Sequence, residues 1–416
     1  MPQRDKYILI IGCFDTKGEE FHFLYNALLD LGEQVLTINT GIRGTTDLFK
    51  VDYEADVVSS EVGESIQKLR EKGDRGYAIK KMGLGAASLI AKLVSNVSIK
   101  GAIGMGGGGG TYIALSAMQS IPFGVPKVCL STLAAKDLSR QIGSKDIMLI
   151  PSIVDVAGLN SILKRLILQA ASAISAMANV IFIDDKAVKG KIAISMFGNT
   201  TACVNICSEI LKNEGYEVFA FHATGVGGMT MESLIRENFF DAVLDITTTE
   251  LADDLCGGIL SAGPNRLEAA ADMGIPQVVA PGCLDMVNFG QKDTVPLKYQ
   301  SRNLYSWAPD VTLMRTDENE NRILGRKLIE KINKSAAASI VLLPLKGISQ
   351  LSSEGGVFYN PEVDHILFET IKKYAIDSVV VREVDAQIND IGFAELAVTS
   401  LLTILEEHKR KSNTNH

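Results

Sequence analysis

This chain lacks a cationic surplus. Its 41 lysines and arginines face 49 acidic residues, a formal charge of −8. Neutralising a phosphate backbone needs a basic surface, so general nucleic-acid binding is not expected, while local basic pockets stay possible. Cysteine is sparse and scattered. Cys13, Cys129, Cys203, Cys207, Cys256 and Cys283 sit in apolar or glycine-rich stretches without a C-x-x-C, which excludes a disulfide framework and points to a reduced, cytoplasmic setting. Cys203 and Cys207, four apart on one helical face, read as core residues. Of the histidines, only His22, His222 and His365 lie outside the polar C-terminal end, too far apart in sequence to suggest a structural zinc site.

Targeting signals and long apolar runs are missing as well. Arg4-Asp5-Lys6 runs straight into a strand-like YILII, so no secretion signal is expected. Consecutive glycines, Pro122 and Gly124 break the uncharged stretch 101–126, which excludes a single membrane helix there. The stretch 166–183 carries Gln169, Ser172, Ser175 and Asn179 along one helical face. It reads as a buried helix at a domain or subunit interface, not a membrane span. Its surplus of apolar surface leads us to expect a homodimer.

What is present is the composition of a globular protein: 46% hydrophobic and 22% charged residues over 416 positions, enough for two sizeable cores. Short β-branched runs alternate with helical patterns throughout, the pattern of an α/β fold with parallel sheets built from βαβ units. Strands are expected at 7–11, 35–39, 102–105, 127–131 and 146–151, and again at 191–196, 217–221, 242–246, 277–280, 311–315, 339–343 and 378–382. The charged Asp184-Asp185-Lys186 divides the series, giving domains 1–185 and 186–406 followed by a solvated tail at 407–416. Each half opens like a doubly wound domain. Thr40, Gly41 and Gly44 recur as Thr224, Gly225 and Gly228 after matching strand, turn and helix patterns, so duplication and simple βαβ likeness are both open. Either way, ligands belong at the carboxyl ends of the strands.

The strongest local signal is GMGGGGGT, from Gly104 to Thr111. Gly106, Gly107, Gly108, Gly109 and Gly110 remove every Cβ between a strand and a helix, so amide groups can converge on an anion while Thr111 caps the helix. A phosphate cradle and a tightly packed turn are the competing readings. Nicotinamide binding is disfavoured, because the run opens the third strand and the next strand ends Ser131-Thr132 without an acid. The turn after the first strand offers Asp15, Thr16 and Lys17. Lys17 could neutralise a phosphate, Thr16 could hydrogen-bond it, and Asp15 could hold magnesium through water, or Asp15 and Thr16 could simply cap a helix. In the second half His222, Thr224, Gly225, Asp245, Glu250 and Arg266 fall beyond successive strands. They are read either as a base, carboxylates and a guanidinium for a small anionic metabolite, or as caps and buried hydrogen bonds; Arg315 is a second candidate anion clamp.

FDTKGEE, GMGGGGGT, GVPKVCLST, SMFGNTTACV, FHATGVGGMTMESLI, LDITTTELADDLCGG, SAGPNRLEAA and PQVVAPGCLDMVNF together resemble the Tm-one-like ATP-binding domain family, which includes a tomato mosaic virus resistance protein and many uncharacterised bacterial members. The resemblance spans about Lys6 to Leu405. It implies a cytoplasmic homodimer of two Rossmann-like domains that binds ATP with magnesium, and with the turns read above the expected nucleotide contacts are Asp15, Thr16, Lys17, Thr40, Gly41, the glycine run, Thr111, Ser131 and Thr132. Trp307 and Gln387 stand where the family pattern has histidines, which puts catalysis in the second half in doubt. Two expectations result: an ATP-binding protein with a regulatory or interaction role, or an enzyme using ATP or acting on a small phosphorylated or acidic metabolite.

Overall fold

The structure, a computed structural model, describes residues 6–181 and 187–414. Contacts divide the chain into two compact units, Met1–Ile183 and Asp184–His416. The expected boundary near residue 185 lies outside the described residues.

In unit 1, β1 (Lys6–Gly12), β2 (Gln34–Asn39), β3 (Ser98–Gly106), β4 (Lys127–Ser131) and β5 (Ile147–Pro151) form a parallel sheet in the order β2-β1-β3-β4-β5. Its helices are α1 (Gly18–Asp30), α2 (Ala55–Ser60), α3 (Ile66–Lys72), α4 (Arg75–Asn96), α5 (Gly108–Met118), α6 (Ser139–Ile142) and α7 (Ser161–Ala178). Leu9, Ile11 and Ala102 pack under α4 and α5, while Ile8, Ile10 and Ile103 pack under α1 and α7. A strand buried on both faces must be apolar throughout, which is why β1 reads as an unbroken apolar run.

The α7 helix is amphipathic. Leu163, Ile167, Ala170 and Ile174 cover the sheet, while Ile162 and Leu168 are exposed. Part of its polar row turns inward: the Ser175 hydroxyl donates to Glu33 at 2.6 Å and Asn179 Nδ2 donates to the same carboxylate at 2.8 Å. Half of α7 is therefore an ordinary sheet-covering surface within unit 1. No helix among the described residues is long and apolar enough to cross a membrane.

In unit 2, β6 (Lys191–Met196), β7 (Glu217–His222), β8 (Ala242–Thr247), β9 (Gln277–Gly282), β10 (Met286–Phe289), β11 (Leu304–Ala308), β12 (Val311–Arg315), β13 (Ser339–Pro344) and β14 (Val379–Val384) make two sheets. Six strands are parallel in the order β14-β13-β9-β8-β6-β7, and three are antiparallel in the order β10-β12-β11. The helices are α8 (Thr201–Asn213), α9 (Val226–Arg236), α10 (Glu250–Cys256), α11 (Ala269–Met273), α12 (Glu318–Ile332), α13 (Pro361–Tyr374) and α14 (Ile391–Thr414).

One expectation is corrected here. The run at 311–315 belongs to the small antiparallel sheet, whose other strands are a four-residue segment and a half-exposed one, too short and irregular to stand out as strands. The segment from 407, expected as a solvated tail, is mostly exposed and continues α14 as far as Thr414, with Lys409 Nζ donating to the Lys189 carbonyl at 3.0 Å. Both large sheets place their first strand between the second and the third, β2-β1-β3 and β7-β6-β8, so each has a switch point at the carboxyl ends of those strands.

Candidate functional site

At the switch point of unit 1 lies a cavity of about 780 Å³. Three turns build it: Cys13 to Lys17 after β1, Thr40 to Arg43 after β2, and Gly106 to Gly110 after β3; Leu69, Ile79, Met82 and Ile113 form an apolar wall. The cavity thus joins an aliphatic side to a side made of main chain and charge, the make-up of a small-ligand site.

The α5 helix begins at Gly108 with Gly107 as N-cap and no side-chain cap. The first N–H groups of a helix have no partner within it, so the amides of Gly108, Gly109 and Gly110 are free to meet a ligand. The five glycines divide by what a Cβ would strike. At Gly106 it would lie 2.9 Å from the Gly110 Cα, and at Gly109 2.9 Å from Ile79 Cδ1, so packing accounts for both. At Gly107 the nearest atom is Thr132 Oγ1 at 3.8 Å and at Gly108 it is Leu133 Cδ1 at 3.9 Å. Neither has a positive φ, so nothing in the fold itself demands glycine at 107 or 108.

Thr111 is not the cap. It sits inside the first turn of α5, buried, with its hydroxyl 2.6 Å from Ser131 Oγ and 3.2 Å from the Gly106 carbonyl. Ser131 also accepts from the Leu133 amide at 2.9 Å, so this pair fastens β4 to the glycine turn instead of facing the cavity. Thr132 is exposed beside Gly107.

Cys13, Asp15, Thr16, Lys17, Thr40 and Gly41 do line the cavity. Burial raises the Cys13 thiol above its ordinary value, and its sulfur lies 3.5 Å from Thr40 Oγ1, so it is a poor nucleophile. Asp15 Oδ2 accepts the Arg43 amide at 2.8 Å, whereas its buried Oδ1 has no hydrogen-bond partner. Gly41 makes this seat possible, because a Cβ there would lie 2.2 Å from Oδ1. The Lys17 ammonium is turned onto the Val156 carbonyl. Sequence reasoning missed Arg43, Arg70, Arg75 and Asp155, which also line the cavity. The Gly73-Asp74 break between α3 and α4 signals the helix ends, but nothing local brings α4 against α5.

The corresponding place in unit 2 is filled. Arg266 is fully buried and spends all five N–H groups: Nε on Glu250 at 2.6 Å, Nη1 on Asp245 at 2.5 Å and Glu232 at 3.4 Å, Nη2 on Asp245 at 2.7 Å and the Thr247 carbonyl at 3.1 Å. Burial disfavours its charge, but the carboxylates of Asp245, Glu250 and Glu232 outweigh that and push its pKa further up. Burial also raises Glu250, against the pull of Arg266, while the amides of Gly225 and Gly228 donate to it at 2.7 and 3.1 Å. The expectation of an anion clamp on Arg266, Asp245 and Glu250 is therefore corrected: no donor is left for a ligand. Thr224 Oγ1 bonds the His222 carbonyl at 3.2 Å, and His222 is exposed with its ring 5.5 Å from Phe197, outside the network. Arg315 is likewise saturated by Phe358, Thr316, Asn360 and Asp364. Among the described residues no group of three His, Cys, Asp or Glu side chains could hold a metal.

Comparison with known proteins gives this architecture a family. The uncharacterised protein family UPF0261 matches through its N-terminal domain at residues 6–181 and its C-terminal domain at residues 189–405. A UPF0261 protein of Clostridium tetani is 45% identical over 97% of this chain and all of its own length, and one of Rhizobium meliloti is 39% identical over 95% of this chain and 98% of its own. The ToMV resistance protein Tm-1(GCR237) of Solanum lycopersicum is 36% identical over 95% of this chain, which spans 55% of that longer protein. Among solved structures, UDP-GlcNAc 2-epimerase from Neisseria meningitidis shares 13% identity over 66% of this chain and 82% of its own, with a TM-score of 0.25. On the two domain matches and these identities, the chain belongs to the UPF0261 family, with the tomato Tm-1 proteins among its relatives.

Proposed function

We propose that unit 1 binds a phosphate-bearing nucleotide, Mg-ATP, in the cavity between the β1, β2 and β3 turns, and that the protein acts through this binding in a regulatory or interaction role. The observation that carries the reading is the pair Gly107 and Gly108: uncapped α5 amides adjoin a cavity at two positions where the fold has room for a Cβ, so the space is kept for something other than the protein. Magnesium fits as a bridging ion. It is commonly held by one or two carboxylates together with ligand phosphates, and Asp15 Oδ1 is a buried carboxylate oxygen without a partner beside the cavity. The aliphatic wall would take the nucleoside.

The test is titration calorimetry of Mg-ATP with the wild type and the double variant Gly107→Ala/Gly108→Ala. Affinity should fall at least about tenfold, the loss of roughly one charge-assisted hydrogen bond, with an unchanged melting temperature. Equal affinity would remove the assignment. The alternative, an enzyme acting on an anionic metabolite at the strand ends of unit 2, loses support because Arg266 and Arg315 have no free donors. The homodimer stays part of the proposal, and a monomer by light scattering at micromolar concentration would count against it.

A further inference from the structure

Four cations border the cavity of unit 1, and they are not equivalent. The Lys17 ammonium is held by the Val156 carbonyl, and Arg70 Nε by the Ile42 carbonyl. Arg43 gives its backbone amide to Asp15, and its guanidinium has no hydrogen-bond or ion-pair partner among the described residues. Arg75, the first residue of α4, has a side chain without hydrogen-bond or ion-pair partner among the described residues. Its helix cap, Asp74, accepts the Tyr77 amide at 2.9 Å and makes no ion pair with Arg75. Nor is Arg75 pointed at open solvent away from the site: its Nη2 lies 3.8 Å from where a Cβ on Gly109 would stand. Ile79, one turn further on the same helical face, meets that position at 2.9 Å and fixes the end of α4 against the glycine turn.

An uncapped amide row does not by itself distinguish a carbonyl oxygen from an anion. A guanidinium without a counter-ion does, because it adds a full charge and a planar fork that matches two phosphate oxygens. We infer that Arg75 reads the anionic group seated on the Gly108–Gly110 amides and makes the cavity select its ligands by phosphate charge. This rests on the nucleotide reading above and adds to it the residue that sets specificity. The side chain is exposed and packs no core, so its replacement should leave the fold intact.

The experiment is calorimetry with Mg-ATP, inorganic triphosphate and adenosine, on the wild type, Arg75→Gln and Arg75→Lys, with melting temperatures recorded. Arg75→Gln should weaken Mg-ATP and triphosphate about 10- to 100-fold, as expected for a lost hydrogen-bonded charge pair, and leave adenosine unchanged. Arg75→Lys should restore part of the loss. Wild-type affinity for Mg-ATP in Arg75→Gln would overturn this inference and leave the nucleotide reading standing, as would an equal loss for adenosine. A wild-type protein that binds neither Mg-ATP nor triphosphate would overturn both.

Discussion

Arg266 and Arg75 show at the level of single residues how differently one side-chain type can be used. Arg266 has three carboxylates around it and no exposed surface, so Arg266→Ala would strand buried charge and should cost about 3–5 kcal/mol. His222→Ala, at an exposed position, should stay within about 0.5 kcal/mol. Urea unfolding of the two variants checks the contrast, and a stable Arg266→Ala protein would refute the closed network. A second residue prediction concerns pH. Burial pushes Asp253 up to about 7, although Asn288 and the Leu260 amide favour its carboxylate. Burial raises Asp364 to about 7 as well, against the pull of Arg315. An acid raised on folding keeps a proton that the unfolded chain has lost. Its contribution is therefore largest below about pH 4, the unfolded value, and declines as pH rises to the folded value. Unit 2 should lose stability between about pH 4 and pH 7 from these groups, and Asp253→Asn should lose less; parallel slopes in urea titrations across that window would contradict it.

Close approach decides the packing of elements more than propensity does. The α12 helix opens with a reciprocal cap, the Glu320 amide on Asp317 at 2.9 Å and the Asp317 amide on Glu320 at 2.8 Å, and this Asp-x-x-Glu spacing is visible in the sequence. Its Gly325 has another purpose. A Cβ there would stand 2.9 Å from the Leu367 carbonyl of α13, so the glycine sets the distance between the two helices. Helix propensity alone favours alanine by about 1 kcal/mol. We expect Gly325→Ala to lower the melting temperature despite that gain, because main chain cannot move aside; a higher melting temperature would show that α13 yields.

Over the whole chain, each unit has its own sheet and its own core, with α4 and α5 on one face of the unit 1 sheet and α1 and α7 on the other. A fragment of residues 6–181 should therefore fold with a cooperative melt and, on the nucleotide proposal, match the full chain in Mg-ATP titrations; an unfolded fragment would show that unit 1 depends on the rest. The alternation of apolar runs and helical patterns was enough to expect two α/β parts. Strands such as β4 and β6 fall where the sequence puts them because a parallel strand covered on both faces must be apolar along its whole length. The glycine run was legible as a junction of strand and helix, since β3 ends at Gly106 and α5 begins at Gly108. Arg75 was not, for its meaning depends on α4 lying against α5, a contact between segments more than thirty residues apart. Thr111 and Arg266 misled for a related reason. A hydroxyl near a helix start can cap or can bond a neighbouring strand, and a guanidinium beyond a strand end can clamp an anion or neutralise buried carboxylates. Sequence names those donors, and only the tertiary structure decides whether any of their hydrogens is left for a ligand.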